Sequence, residues 1–461
     1  MLLVRGGTVV GPDGSRRADV LVDGERIAAV GESLDAGGAE VVDAGGAYVI
    51  PGGIDVHTHF ALPVGAVTSA DDFESGTIAA ACGGTTCVVD FAGAGREPWS
   101  EALDTWHARA AKRAVVDYGF HLTVTELPED LDAAHERFRS FAAEGVTSVK
   151  LYLAYPERLM VDDSTLSRAL RASRETGVRV CIHAEDGATI ERNIAEALAA
   201  GRTGPDAILE VRPPSVEAEA IRRAAALARD ADAWLYVVHL SSRDGLRAVL
   251  GARGAGVDIH AETCPQYLYL DEARLRGGDQ DVVCAPPIRG AADREELWTG
   301  LAAADIETFA TDHCPFTMAD RRKGSTGDGW NDFTQIPGGL PGVETRVSLL
   351  YQGVHDGRLT LERWVDAIAT ALARLFGLDH VKGAIEPGLD ADIVVFDPEA
   401  SKRLDAGALH CRTDHSPYEG MAITGWPALT LSRGQVVARE GEPADAEPGH
   451  GRFVGRRTLV R

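Results

Sequence analysis

Residues 48–59, YVIPGGIDVHTH, read as an apolar strand that ends in two histidines. Seven later segments follow the same plan: TTCVVDF (85–91), DYGFHLTVT (117–125), SVKLYLAY (148–155), VRVCIHAE (178–185), WLYVVHLSS (234–242), DIHAETCP (258–265) and ETFATDHCPF (307–316). Longer Ala/Arg/Glu-rich stretches of helical character follow most of them. Strands alternating with helices describe βα units and a parallel sheet. Eight of them predict a (β/α)8 barrel, a fold that takes roughly 250 residues.

Outward from the barrel, both ends of the chain change texture. LLVRGGTVV, ADVLVDG and RIAAVG lie among Gly and Asp turns near the N-terminus, and ADIVVFDP (391–398) and ALTLSRGQVVARE (428–440) repeat that pattern late. These pieces predict one smaller antiparallel β domain, a β-sandwich built from residues 1–50 and 385–445, beside a catalytic barrel over 51–384. Residues 446–461 are left as a C-terminal arm.

The 461 residues carry 46 Lys+Arg against 70 Asp+Glu, a net charge of −24, and 45% are hydrophobic. Such proportions exclude a collagen-like, low-complexity or disulfide-scaffold chain. The negative charge disfavours nucleic acid and anionic membrane surfaces as partners. No apolar run reaches the roughly 18–20 residues that span a bilayer, and the N-terminus does not read as a signal peptide. Seven cysteines without CxxC spacing fit reduced thiols in a cytoplasm.

Ionisable residues in a barrel strand cost energy unless they are paired or bound to metal. His57 and His59 are two apart, so strand alternation puts both imidazoles on one face. His183, His239 and Asp312 end the fifth, sixth and eighth strands. Any one of them alone reads as a satisfied structural residue. Together they place four imidazoles and a carboxylate where barrel enzymes carry their chemistry. That donor set suits Zn²⁺, with Mn²⁺ or Co²⁺ as alternatives. Lys150 lies between Val149 and Leu151, and burial there lowers the pKa of an ammonium group and frees the amine. A free amine adds CO₂ to give a carbamate that can bridge two cations. The bland alternative is a lysine that snorkels to the rim; the neighbouring histidines favour the bridge.

Other polar residues carry structural expectations. His121 and His260 read as hydrogen-bonded structural histidines, and His313 should face away from the barrel mouth. Asp71-Asp72 reads as a helix cap. Glu185 shares the face of His183 and is placed to hold it from behind.

These segments, with DDFESGTIAAACGGTT (71–86), RPPSVEAEA (212–220), ETCPQYL (262–268), DFTQIPGGLPGVE (332–344) and EGMAITGWPALTLSRG (419–434), resemble the amidohydrolase superfamily. Within it they are most similar to the dihydropyrimidinase/D-hydantoinase family of cyclic amidases, over nearly the whole length. The resemblance implies a TIM-type barrel holding two divalent metal ions, most often zinc. His57, His59 and Asp312 would hold the more buried ion, His183 and His239 the more exposed one, and N6-carboxylated Lys150 would bridge them. Tyr155 matches the tyrosine that stabilises the oxyanion, and Asp312 the residue that takes and returns the proton during hydrolysis of the cyclic amide to an N-carbamoyl amino acid.

Substrate contacts implied by the resemblance come from the main chain at Ala285 and Gly338, where the family has Ser and Asn. The loop Phe60–Thr68 with Tyr152 and Leu159 would line the pocket for the ring substituent, and Leu62, Val64, Tyr152 and Leu159 suit an apolar one. Ala61 stands where dihydroorotases carry an arginine and allantoinases an asparagine. Those two enzymes and cyclic imide hydrolases are the neighbouring activities. A non-catalytic scaffold of the collapsin-response type is the alternative of another class, although such scaffolds lack the metal ligands. The resemblance also implies a homotetramer, with a dimer as the other common form.

Overall fold

The structure, a computed structural model, describes residues 1–93, 95, 97–156, 158–322, 332–444 and 447–459. The chain opens with β1 (Leu2–Gly11), β2 (Gly14–Asp23), β3 (Arg26–Gly31), β4 (Glu40–Asp43) and β5 (Tyr48–Pro51). Then come β6 (Gly53–Thr58) and a small hairpin of β7 (Pro63–Val64) and β8 (Val67–Thr68). The series β9 (Thr85–Ala92), β10 (Asp117–Thr123), β11 (Ser148–Tyr152), β12 (Arg179–His183), β13 (Leu235–Val237), β14 (Ile259–Thr263) and β15 (Thr308–Phe309) follows. Finally come β16 (Ile393–Arg403), β17 (Ala422–Ser432), β18 (Gln435–Arg439) and β19 (Glu442–Pro443).

Eight strands, β6 and β9 to β15, pair in chain order and in parallel. The ring closes where β15 runs out: His59 N–H donates to the His313 carbonyl at 2.9 Å and His313 N–H to the His57 carbonyl at 3.2 Å. Closure therefore sets the two histidines of HTH beside Asp312. The predicted (β/α)8 barrel is present. Its outer helices form for local reasons. In Asp163–Thr176, Asp162 caps the first turn by accepting from Thr165 N–H at 2.7 Å, and Leu166, Ala169, Leu170 and Ser173 share one buried face. Gly177, at φ +71°, ends that helix.

The remaining strands form one nine-stranded sheet, ordered β19-β18-β17-β16-β5-β1-β2-β3 with β4 also on β1. Both chain ends build it, and Val4, Val20, Val49, Ile393 and Leu431 fill its separate core. It is mixed rather than wholly antiparallel. After β3 the chain crosses to the other side of β1, so β4 and β5 run parallel to that strand.

The stretch 48–59 is two strands. Residues 48–51 pair with β1 and β16 in the mixed sheet, and the barrel strand begins at Gly53. Gly52 makes the crossing: a Cβ there would fall 2.1 Å from Thr86 Oγ1. Strands β13 and β15 are shorter than their apolar runs because His239 and Asp312 take positive φ, +41° and +53°, and leave the ladder.

The arm, over its described residues, is ordered against the barrel floor. Tyr118 N–H donates to the Arg452 carbonyl, Val454 N–H to the Tyr118 carbonyl and Arg456 N–H to the Gly145 carbonyl. Nearby, Lys382 Nζ contacts Asp117, Asp390 and Asp392 at 2.8, 3.0 and 2.6 Å. This buried cluster joins barrel strand β10 to the segment entering β16.

Candidate active site

The C-terminal strand ends converge on a cavity of about 990 Å³ lined by His57, His59, Lys150, His183, His239 and Asp312. Tyr155, Tyr152, Leu62, Val64, Leu159, Ala285 and Gly338 line the same cavity. The structure thus brings the six predicted metal ligands, Tyr155 and the named pocket residues to one place. Of the quoted loop Leu62 to Val67 line the cavity and Ala61 and Thr68 do not, while Phe60 turns away, its ring buried against Phe73 and His313 at 5.3 and 5.6 Å.

Two clusters of donor atoms lie in the cavity. His57 Nε2 and His59 Nε2 stand 3.0 and 3.1 Å from Asp312 Oδ1, and ligand atoms of these three residues lie within 4.8 Å of one another. Beside them His183 Nδ1 faces His239 Nε2 at 2.9 Å. The far nitrogens of two rings are anchored. His57 Nδ1 is hydrogen-bonded to Glu262, and His183 Nε2 to Glu185 Oε2 at 2.8 Å. With those nitrogens anchored, the other nitrogen of each ring turns toward the cluster, and on His57 that position takes either a proton or a cation. A lone pair and a carboxylate oxygen at 3.0 Å require a positive charge on or between them, so the donor set fits a bound cation.

The electrostatics agree. Burial pushes His57 toward neutrality, yet Asp312 and Glu262 outweigh it and draw its pKa up to about 9. Burial takes His59 down to about 4 against the pull of Asp312. Asp312 is penalised by burial too, but His57 and His59 hold it well below the usual carboxylate range.

Lys150 occupies the middle of β11, 1% exposed, with Nζ 4.8 Å from the Phe91 ring centre and 5.2 Å from that of Tyr152. Desolvation brings it down to about 8, against Asp312 and Glu262, which favour its charge. It does not snorkel to the rim. Tyr155 sits at φ +66° with its ring 5.2 Å from that of His183. Strain of this kind at Tyr155, His239 and Asp312 clusters where residues are held for a task.

Two supporting residues carried no expectation from the sequence. Glu262 Oε1 accepts from His57 Nδ1 and His239 N–H, and Tyr236 Oη donates to its other oxygen at 2.9 Å. Its signal was present, an acid inside the apolar strand DIHAETCP. Arg212 pairs with Glu185 and lies over the Tyr155 ring at 5.1 Å. It comes from a loop, where no periodicity marks it.

The structural histidines are satisfied as read. His121 bonds Ser148 Oγ and the Val56 carbonyl at 2.6 and 2.9 Å, and His260 bonds Glu307 and Asp258, both at 3.0 Å. His313 faces away from the cavity, to Asp71 at 3.1 Å. Of the Asp71-Asp72 pair only Asp72 caps the helix; Asp71 serves His313, Ser75 and Arg412 N–H.

Barrel, cavity and paired histidine clusters form a site whose donor set fits bound metal ions. The chain matches the amidohydrolase family over residues 48–437. It is 42% identical to a D-hydantoinase of Geobacillus stearothermophilus, covering 98% of this chain and 96% of that one. It is 40% identical to a D-phenylhydantoinase of Escherichia coli O9:H4 (strain HS), covering 100% and 99%. The crystal structure of dihydropyrimidinase from Brevibacillus agri NCHU1002 superposes with a TM-score of 0.95 at 42% identity, covering 100% and 99%. The chain belongs to the amidohydrolase family, in its D-hydantoinase and dihydropyrimidinase branch.

Proposed function

We propose that this protein hydrolyses the ring amide of 5-substituted hydantoins and dihydropyrimidines to N-carbamoyl amino acids. The observation that carries this reading is the convergence of two His-rich donor clusters and a buried lysine on one cavity. His57, His59 and Asp312 would hold one divalent ion and His183 with His239 a second, zinc first, manganese or cobalt otherwise. Addition of CO₂ to the Lys150 amine would form an N–C bond, release a proton and make a carboxylate that would be shared by the two sites. When bound, the ions supply Lewis acidity toward the carbonyl and toward water.

The chain's own groups do the rest. Asp312 takes a proton from the attacking water and delivers it to the ring nitrogen as the C–N bond breaks. Tyr155 donates its hydroxyl hydrogen to the developing oxyanion, and burial keeps that hydroxyl protonated despite the opposing pull of Arg212. Main-chain groups at Ala285 and Gly338 position the ring. Leu62, Val64, Tyr152 and Leu159 receive an apolar substituent, and Ile194, Ile208, Val211 and Ile336 extend that wall.

We read the working form as a homotetramer, with a dimer as the second choice. We keep the division into a two-segment β domain (1–50 and 385–445), a barrel (51–384) and an arm (446–461). Seven free cysteines, six of them buried, support a reducing, cytoplasmic setting. Among the described residues no helix is long and apolar enough to cross a membrane. The test is ring opening of dihydrouracil, hydantoin, 5-phenylhydantoin, dihydroorotate and allantoin by zinc-loaded protein. Turnover of the first three is expected, with the phenyl derivative favoured. Dihydrouracil far ahead of phenylhydantoin would overturn the apolar pocket, and silence on all five with metal bound would overturn the activity.

A further inference from the structure

The floor of the barrel, opposite the cavity, holds two buried guanidinium groups that make no ion pair among the described residues; the charge of Asp379 reaches Arg179 only from beyond ion-pair distance. Arg179 opens β12 and shares that strand's inward face with Cys181 and His183. At roughly 3.3 Å per residue, His183 lies about 13 Å further along the strand. Arg456 enters from the C-terminal arm, and its Nη2 donates to the Phe120 carbonyl in β10. Its Nε stands 3.7 Å from where a Cβ of Gly119 would be, so a glycine leaves the space that the arginine head fills.

Both side chains are sealed from solvent, Arg179 at 3% and Arg456 at 4% exposure. Among the described residues Arg179 Nη1, Arg456 Nε and Arg456 Nη1 have no hydrogen-bond partner, and neither arginine makes an ion pair. The Trp234 ring covers one face of Arg179 at 5.3 Å, and Nη1 at the edge is left without a partner. Other buried cations differ. Lys382 has three carboxylates, Arg433 pairs with Asp117, and Arg321 donates to main-chain carbonyls. The charge of Arg179 acts on Arg456, and two neighbouring like charges with orphaned donors and no ion pair, in an apolar surround, call for an anion.

We propose that Arg179 and Arg456 form a binding site for one small inorganic anion at the barrel floor. The donors supply charge-assisted hydrogen bonds from two elements that meet only in the folded chain, so the anion locks the arm onto the barrel. Cys181 lies near both arginines and Cys87 near Arg456, Val89 meets the Arg456 head at Gly119, and Phe376 packs on Trp234. A monovalent, weakly hydrated ion of the halide class enters such a surround at lower desolvation cost than a phosphate dianion.

The test uses the intact protein with bromide as probe. Crystals grown in sodium bromide are expected to show an anomalous peak in contact with both guanidinium groups. At constant ionic strength, Tm is expected to rise saturably with chloride or bromide but not with gluconate, and Arg179→Gln is expected to remove that dependence. Arg456→Met takes away an anchor of the arm and unfolding is a foreseeable result, so the wild-type bromide crystal reads the site without any variant. Ordered water in place of the peak, with equal Tm in chloride and gluconate, overturns the proposal.

Discussion

Glu262 accepts a hydrogen bond from His57 Nδ1 across 205 positions of sequence, and so determines which nitrogen of that ring faces Asp312. The same oxygen accepts from His239 N–H at 3.2 Å, so one carboxylate orients a residue of each histidine cluster.

Glu262→Gln keeps the size of the side chain but removes the charge that fixes the His57 tautomer. Metal affinity is expected to fall about 10- to 100-fold, and turnover with it, while the circular dichroism spectrum stays unchanged. Competition titration against a zinc chelator measures this. Unchanged affinity would mean that His57 needs no such support.

Arg321 holds together the two loops that carry Ala285 and Gly338. It donates to the carbonyls of Gln280 at 3.0 Å and of Val283 and Pro337 at 3.4 Å, and to that of Gly339. Arg321→Lys cannot span four carbonyls. It is expected to raise KM about tenfold, a loss of about 1.4 kcal/mol of uniform binding, with kcat nearly unchanged. A fall in kcat at constant KM would assign Arg321 to the chemical step. In Gly338→Ala a Cβ would meet the 284–285 backbone at 3.7–3.8 Å, ordinary contact, so that variant is expected to remain folded and active.

Some of this site was legible before the structure and some was not, for physical reasons. An ionisable residue inside an apolar strand stands out because burial is costly, which exposed His57, His59, Lys150, His183 and His239. Strand alternation then separated Asp312 from His313. The same rule marks two residues in DIHAETCP, and only Glu262 serves the site, while His260 bonds Glu307 and Asp258. Arg212 and Arg321 act through partners far along the chain, and no local pattern reveals such pairs. The split of 48–59 hid for a similar reason. A continuous apolar run says that residues are buried, not in which sheet, and the crossing at Gly52 depends on Thr86.

Glu307 supplies a pH-dependent stability term away from the active site. Burial opposes its charge, but hydrogen bonds from His260 and Ala261 N–H and the charge of Arg253 hold its pKa below the ordinary 4.5. A depressed carboxylate contributes its stability in full above 4.5, and that contribution disappears as pH falls through the folded-state value. Glu307→Gln is expected to cost about 1–3 kcal/mol at pH 7. The gap from wild type should narrow below pH 4.5 in denaturant melts. A gap that stays constant with pH would assign the loss to packing.

Lys382 bridges three buried carboxylates, with Arg433 on Asp117 and Arg26 on Asp390, so Lys382→Met leaves Asp117, Asp390 and Asp392 facing one another with one cation fewer than before. Breaking a buried ion cluster from one side costs about 3–5 kcal/mol. A large drop in Tm is expected, with zinc stoichiometry unchanged in the fraction that stays folded. A small drop would mean that Arg433 and Arg26 carry the charge balance without it.

The most direct measurement compares metal content and ring opening in wild type and Lys150→Ala, using inductively coupled plasma analysis and 5-phenylhydantoin turnover on the same samples. A carboxylated lysine joining two sites predicts two metal ions per wild-type chain. For the variant it predicts loss of metal and of turnover together, with the fold intact. Two metals and full rate in Lys150→Ala would contradict the bridge.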